Sequence, residues 1–265
     1  MNDIIVYLKR TFVLELKETI AYPASFWMVV VTIPLYAVVQ IVFLETIYGQ
    51  TSNFASYTKY EAYILFGTFM MVQVIGHIFF YNRLVMLKEL IRGDGQESFD
   101  LALTKPIDAQ IFATLGRFSF GSIVPFFVTV FIVVYGMIHQ SQTLNIFNFA
   151  AYVFVVLIGV LISYLVLLFC STFLFWFPEL QMADALWGHI VEFGKYPSHL
   201  YRGIAGILFN VVIPVTLMAS IPVEFLLGKR SFTMLLIYAI ITIVLFVRTR
   251  IFWQVAIKKY SGSGS

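Results

Sequence analysis

The sequence predicts an all-α, polytopic integral membrane protein with six transmembrane helices, and three observations support this prediction. The 265 residues are 60% hydrophobic and 12% charged, whereas soluble domains are about a quarter charged. Apolar runs of about 20 residues, the length that crosses a bilayer as an α-helix, recur along the chain. The Lys and Arg residues between these runs fall mainly on one side of the predicted membrane. One transmembrane domain is predicted over residues 1–260, and the Ser-Gly-Ser-Gly-Ser run at 261–265 is typical of a flexible linker.

Residues 1–23 are predicted to form an amphipathic helix at the membrane interface, and a solvated leader before the first span is the alternative. The segment has no uninterrupted apolar core like that of a signal peptide. Tyr22-Pro23 is expected to break the helix. Cations occupy mostly the face opposite to a row of apolar residues spaced four apart, which comprises Ile4, Leu8, Phe12, Leu16 and Ile20.

The first three spans are predicted from uncharged apolar runs. Ser25–Leu44 carries no charge and contains Pro34, where a kink is expected. The second span is predicted from about Tyr60 to Tyr81, and the third from about Phe112 to Ile138. The loop that follows the third span, 139–148, contains no Lys or Arg.

The following part of the chain allows two interpretations. Residues 149–177 are apolar throughout, which exceeds the roughly 20 residues of one untilted span. In the first interpretation these residues form a single tilted helix. Residues 178–203 then form a cytoplasmic loop, and 204–227 crosses the membrane again.

In the second interpretation the chain turns near Cys170–Ser171 and a polar fifth span follows at about 172–194. Residues 197–227 then fold back as a re-entrant extracellular hairpin before the last span, Phe232–Val247. Three prolines favour this broken backbone over a straight helix, namely Pro197, Pro214 and Pro222.

Cation placement sets the predicted orientation. Twelve Lys and Arg residues lie on the side of the N-terminus. The opposite side holds Lys59, Lys229 and Arg230, joined by Lys195 and Arg202 in the second interpretation. Because cytoplasmic loops carry the excess of positive residues, both termini are predicted to be cytoplasmic.

Polar residues in or beside the predicted spans are candidate pathway residues, because burying them in lipid is costly unless they are paired. Ordinary interhelical hydrogen bonding is the alternative, as is loop exposure in the first interpretation. The four members nearest the fifth span would spread around more than half of a helix, so they form no single proton wire. The candidates are Gln40, Gln73, His77, Glu179, Asp184, His189 and Glu192.

We predict that this chain is not an enzyme and binds no cofactor or metal itself. Gly228-Lys229 is followed by Arg230 and lacks the upstream glycine of a phosphate-binding GxxxxGK[ST] loop. His189 and Glu192 match neither HExxH nor HxxEH, and the single Cys170 forms no cluster. The net charge of +3 gives no indication of nucleic-acid binding.

Residues 82–110 form the largest charged stretch. Residues 83–92 are predicted to continue the second span as a helix, and Gly93-Asp94-Gly95 to end it. A short helix over 97–103 follows, and Asp108 is a suitable N-cap for the next helix. This helix–turn–helix offers a charged surface to a partner protein, although an ordinary solvated loop is the alternative.

The chain resembles the ABC-2 type permease family of ABC transporters over nearly its whole length. The stretch Gly93–Ile107 (GDGQESFDLALTKPI) is similar to the family's G…D…L.KP segment between spans two and three. The later motifs look like the proline-punctuated C-terminal region of the drug or viologen exporter branch. They are Phe175-Trp176-Phe177, Tyr196-Pro197-Ser198, Ile213-Pro214 and Ile221-Pro222.

The resemblance implies the permease subunit of an ATP-driven exporter in the bacterial inner membrane. Separate ABC ATPase subunits would bind ATP and Mg, and a second permease, identical or different, would complete the pathway among the membrane lipids. Segment 1–23 would be the connecting helix and 197–227 the re-entrant element. Within the coupling segment 82–110, the residues expected to contact the ATPase are Glu89, Arg92, Gly93, Asp94, Gly95, Phe99 and Asp100.

The expected cargo of such an exporter is a hydrophobic or amphipathic compound, cationic compounds included, as in multidrug efflux. The 28 Phe and 15 Tyr residues suit apolar and cation–π contacts with such a compound. The alternative function is a proton-coupled secondary carrier or intramembrane enzyme that uses His77 and the Glu179–Glu192 polar group.

Overall fold

The computed structural model describes residues 2–93, 98–140, 145–177 and 182–260. Five helices within these ranges are long and apolar enough to cross a membrane, which confirms the all-α polytopic class. In chain order the elements are α1 (Asn2–Ala21), α2 (Pro23–Tyr48), β1 (Asn53–Phe54), β2 (Tyr57–Thr58), α3 (Lys59–Arg92), α4 (Phe99–Thr104), α5 (Ala109–Thr114), α6 (Phe120–His139), α7 (Ile146–Phe175), α8 (Met182–Glu192), α9 (Gly203–Val212), α10 (Ser220–Leu226) and α11 (Thr233–Ile257).

Several elements contain short turns of other helix types. A π-helical turn, His77–Tyr81, interrupts α3, and another, Leu208–Val212, ends α9. Turns of 3-10 helix begin α6, end α7 and connect the later helices, at Phe120–Ser122, Phe173–Phe175, Phe193–Lys195, Ser198–Leu200 and Val215–Met218. The two short strands pair antiparallel, with Asn53 opposite Thr58.

The N-terminal helices meet where the sequence predicts a break. Helix α1 ends at Ala21, and Pro23 occupies the first turn of α2, where its missing N–H costs no hydrogen bond. Helix α2 continues through Pro34 to Tyr48, and Ala37 is its buried residue. Ile33, Ile41 and Leu44 of the same helix pack partly against the core, whereas other apolar residues such as Trp27 and Val38 are exposed and face outward from the bundle.

Helices α3, α6 and α7 form the centre of the bundle. Two-thirds of the apolar window of α3 is buried, and most of that of α7. A helix that is apolar on all sides is stable only when neighbours or lipid surround it. We call the end of the bundle near Arg92 and Asp108 the inner end, and the end near Tyr48 and Lys229 the outer end.

The third span begins later than the sequence predicts. Helix α5, which starts after the Asp108 cap, ends at Thr114, and α6 starts only at Phe120. Gly116 separates them with a φ of +110°, a conformation open to glycine and strained for other residues. Phe112, predicted at the start of the span, is instead fully buried in the inner end.

The predicted turn at Cys170–Ser171 is wrong, because α7 continues through these residues to Phe175. Neither Cys nor Ser breaks a helix, and the next proline in the sequence is Pro178. The polar fifth span predicted at 172–194 is represented by α8, whose 11 residues extend about 16 Å, roughly half of a 30 Å hydrocarbon core.

The chain after α8 follows a hairpin path against α7. Helix α9 runs toward the inner end, and the return through α10 leads back to the outer end, as contacts at three depths along α7 show. The contacts are Ile213 near Cys170, Leu217 beside Gly159 and Gly228 beside Asn148. This path suits a re-entrant element, and the assignment of 197–227 to one stays a prediction about the position of the bilayer.

Candidate functional site

The coupling segment projects from the inner end as the continuation of α3. Gly93 ends that helix in the left-handed conformation, with a φ of +71°, and its N–H donates to the carbonyl of Glu89 at 2.9 Å. Glu89 is exposed, and Arg92, Gly93 and Asp100 are partly exposed. The predicted contact residues Asp94 and Gly95 lie outside the described residues.

Phe99 does not belong to the exposed surface that the sequence analysis predicts. Its side chain is fully buried, with ring centroids 5.1 Å from Phe175, 6.2 Å from Trp253 and 5.0 Å from Tyr260. Because Phe175 ends α7 and Trp253 lies in α11, Phe99 anchors α4 to two spans. In this structure it holds the coupling segment in place and presents no surface to a partner subunit.

An ion pair joins the same segment to the last span. Arg250 donates to Asp108 at 3.0 Å and to the side-chain oxygen of Gln110 at 2.5 Å. Gln110 in turn donates to the hydroxyl of Tyr164 in α7 at 2.9 Å. The hydrogen bonds and charge of Arg250 hold the pKa of Asp108 below its usual range. The sequence identified Asp108 only as an N-cap. Its ion-pair partner Arg250 lies 142 residues further along the chain, and no local sequence pattern indicates so distant a contact.

Helix α1 contacts the residues that directly follow the segment. The Tyr7 hydroxyl donates to the carbonyls of Phe112 and Leu115 at 3.3 Å and 3.1 Å. Glu15 lies 3.6 Å from Arg117, an ion pair beside the start of α6. The segment therefore contacts α7 and α11 directly, and α1 is joined to it through α5 and the link between α5 and α6.

The candidate pathway residues do not form one site. Gln73 accepts a hydrogen bond from Ser163 at 3.3 Å in the interior. His77 lies 4.0 Å from Tyr81, ring to ring. His189 is exposed. Glu179 and the side chain of Asp184 lie outside the described residues.

Gln40 lines a cavity near the outer end, and Glu192 pairs with a lysine that lines the same cavity. The cavity has a volume of about 310 Å³ and lies between α2, α3 and the chain at 195–197. Gln40 and Lys195 supply polar atoms, and Lys195 is paired with Glu192. The rest of the lining is mainly apolar or aromatic, including Phe43, Tyr48, Phe54 and Phe66.

The outer end contains a network of ion pairs that the sequence analysis missed. Glu224 is buried, pairs with Arg230, and accepts hydrogen bonds from Ser198 at 2.7 Å and Ser220 at 2.9 Å. Three of the other four outer cations also have carboxylate partners, in the pairs Lys59–Glu45, Lys195–Glu192 and Lys229–Glu61. The positive-inside rule disfavours cations on the outer side, and pairing with a carboxylate lowers the free-energy cost of placing them there.

A family comparison identifies the chain. The model of the ABC-2 family transporter proteins matches residues 35–264, which is most of the sequence. The chain belongs to this family. No curated protein and no solved structure gives a significant match.

Membership assigns the role of the bundle in general terms. This ABC-2 protein is the permease component of an ABC transporter, and permeases of this family work with ABC ATPase subunits. The resemblance seen in the sequence is thus confirmed at the level of the family. The drug or viologen branch stays a prediction.

Proposed function

We propose that this ABC-2 permease is the transmembrane subunit of an exporter in which the coupling segment 82–110 contacts a separate ATPase. The observation that supports this most strongly is the direct attachment of the segment to α7 and α11, together with its connection to α1 through α5. If the segment were a loosely attached loop, it could move without displacing the neighbouring helices. Here a displacement of the segment displaces the spans.

The free energies of these contacts favour a rigid connection between the segment and the spans. Arg250 and Asp108 are about a third exposed, so their ion pair contributes about 1 kcal/mol or less, and the hydrogen bond from Arg250 to Gln110 contributes on the order of 1 kcal/mol. Burial of an aromatic side chain such as Phe99 adds about 1.5–3 kcal/mol. Together these contacts resist separation of the segment from the spans by several kcal/mol.

We further propose that the outer-end cavity is part of the export pathway. Its volume of about 310 Å³ lies at the lower end of the range for small-molecule sites. Aromatic walls and few polar atoms suit a hydrophobic or amphipathic cargo, cationic compounds included. A second permease subunit is expected to close the side on which α2 exposes its apolar surface.

The alternative function, a proton-coupled carrier or intramembrane enzyme, requires its polar residues to act together. Among the described members, His189 is exposed, His77 packs on Tyr81, and Glu192 pairs with Lys195. Family membership also favours an ATPase-driven mechanism.

The experiment is a transport assay on inverted membrane vesicles that contain the chain and the ATPase that co-purifies with it. Uptake of a fluorescent hydrophobic cation should require ATP and fall at least tenfold in a Glu89→Ala, Arg92→Ala, Asp100→Ala triple variant. A Lys258→Ala, Lys259→Ala variant is the matched control, because it removes inner-end cations outside the segment. Equal uptake by the triple variant and the wild type would contradict the proposed coupling role.

A further inference from the structure

Helix α1 faces the bundle along one side. Tyr7, Thr11 and Glu15 recur every four residues and line a cavity of about 450 Å³ between α1 and the inner end of α3. Because successive residues are about 100° apart around a helix, the opposite side of α1 is defined by a different set of residues. These residues are apolar and exposed, and they are Ile5, Val13, Leu16 and Ile20. Helix α1 therefore has a broad apolar face that the described part of the chain leaves uncovered.

The position of this apolar face indicates that lipid covers it. Helix α1 ends at Ala21, and the span α2 begins at Pro23. The ring of Phe12 packs edge-to-face on Phe118 and Phe120, with centroid distances of 5.6 Å and 5.0 Å, and Phe120 is the first residue of the span α6. Helix α1 thus lies beside the inner ends of two spans, where lipid headgroups meet hydrocarbon. Amphipathic helices bury their apolar face at this boundary.

Acidic and basic residues lie on different sides of α1. Glu15 and Glu18 line cavities on the side of the bundle. Lys9, Arg10 and Lys17 are exposed, and none of them forms an ion pair within the described ranges. Arg10 and Lys17 are two helical turns apart, which places them within about 20° of each other at one border of the apolar face. Lys9 lies within that face, and its long side chain can extend to the membrane surface.

The anions that these cations meet at the membrane boundary are the phosphates of lipid headgroups. Phosphatidylcholine carries a compensating positive charge, whereas phosphatidylglycerol keeps a net negative charge. Each Lys or Arg close to an anionic membrane surface favours binding by about fivefold. The carboxylates of Glu15 and Glu18 face the bundle, so they are not placed between the three cations and the lipid. The charge pattern of α1 therefore favours anionic lipid.

We propose that α1 binds anionic phospholipids of the leaflet at the inner end. Lys9, Arg10 and Lys17 pair with the headgroup phosphates, and the apolar face of the helix inserts among the acyl chains. Tyr7 and Phe12 hold the same helix against α5 and α6, so the bound lipids also stabilise the inner ends of these elements. The proposal concerns lipid contacts alone and is independent of ATPase coupling.

The test measures which lipids surround α1 when the full chain is in phosphatidylcholine nanodiscs. A fluorophore on Val13→Cys, in a Cys170→Ser background, is titrated with nitroxide-labelled phosphatidylglycerol or phosphatidylcholine. Phosphatidylglycerol should quench it at a mole fraction about tenfold lower. Combining Lys9→Gln, Arg10→Gln and Lys17→Gln should reduce this difference to about twofold or less. Lys258→Gln with Lys259→Gln is the matched control and should keep the full difference. Equal quenching by the two lipids, or an unaffected triple variant, would overturn the proposal.

A salt titration of the same labelled chain tests the proposal without changing any cation. At about 1 M salt the Debye length falls to about 3 Å, so the preference for phosphatidylglycerol should fall at least about threefold while both lipids still quench the fluorophore. An undiminished preference would contradict pairing with the headgroup phosphates. The absence of quenching by either lipid would show that lipid does not cover the apolar face.

Photocrosslinking in native membranes identifies other occupants of this face. Benzoylphenylalanine at Val13 should give lipid adducts, detected by mass spectrometry. A crosslink to an ATPase subunit or to a second copy of the chain would overturn the proposal. Because the nanodiscs contain no ATPase, a failed lipid preference would leave the proposed coupling role intact, and the transport assay tests that role separately.

Discussion

Asp108 shows how much one side chain can determine at the inner end. Its carboxylate accepts hydrogen bonds from the N–H groups of Gln110 and Ile111 and so caps α5. The same carboxylate pairs with Arg250. A cap contributes about 1 kcal/mol, and a partly exposed ion pair about the same or less. One residue thus both starts a helix and joins the coupling segment to the last span.

The lowered pKa of Asp108 predicts a pH dependence with a defined sign. Because the folded chain holds the proton less tightly than the unfolded chain, the pair stabilises the fold fully above about pH 5. That contribution shrinks as the pH falls below about 4 and is lost as the pH passes through the folded pKa. The difference in Tm between the wild type and Asp108→Asn, which keeps a capping side chain, should follow this course. A difference that grows on acidification would contradict the ion pair.

At the outer end, burial predicts which ion pairs matter. Glu224 and Arg230 have side chains 11% and 26% exposed, whereas Glu45 and Lys59 are 46% and 37% exposed. Removing one partner of a buried pair leaves an uncompensated charge, so Glu224→Ala should cost about 3 kcal/mol of stability. Glu45→Ala should cost less than about 1 kcal/mol. Thermal unfolding in lipid nanodiscs measures both, and a loss for Glu224→Ala as small as that expected for Glu45→Ala would contradict a structural role for the Glu224 network.

At the scale of elements, the 197–227 hairpin depends on its close contact with α7. A Cβ on Gly159 would lie 2.8 Å from the carbonyl oxygen of Leu217, which is too close for an ordinary contact. Gly159→Ala should therefore destabilise the protein by about 1–3 kcal/mol. Gly188→Ala is the control, because nothing lies within 4 Å of its added methyl and Ala favours a helix. Thermal unfolding measures both, and equal Tm values for the two variants would contradict the hairpin packing.

Sequence patterns located elements best where a single residue determines the backbone. Pro23, Gly93 and the Asp108 cap all lie where helices begin or end. Hydropathy alone misplaced the start of α6, because an apolar residue fits a span and a buried short helix equally well. It left two interpretations of the end of α7, and the single helix of the first interpretation agrees with the structure. Phe112 and Phe99 illustrate this, since their burial depends on distant helices.

The candidate sites were predictable in part for the same reason. The charged residues of the coupling segment form a continuous run in the sequence, so their neighbourhood could be recognised. The partners Arg250 and Glu224 come from chain segments far from Asp108 and Ser198, and only the fold brings them together. Carboxylates at the outer ends of predicted spans, such as Glu61, were the available signal for the outer ion pairs.

For the whole molecule, the predicted orientation places both termini in the cytoplasm and Lys229 outside. In a Cys170→Ser background, Lys229→Cys should react with an impermeant thiol reagent added to intact cells. Lys259→Cys, at the inner end, should react only after the membrane is permeabilised. The reverse labelling pattern would show that the orientation is opposite to the predicted one, with the coupling segment on the side of the membrane where ATP is not available.

Contact between the coupling segment and an ATPase is the central claim, and photocrosslinking tests it most directly. Benzoylphenylalanine placed at Asp100 should crosslink to an ABC ATPase subunit in native membranes, identified by mass spectrometry. The same group at Ile204, which is 87% exposed on the hairpin, is the control and should give no such product. A crosslinked ATPase from position 100 alone is the predicted result. The absence of any ATPase crosslink there, with the variant folded and inserted, would contradict the account.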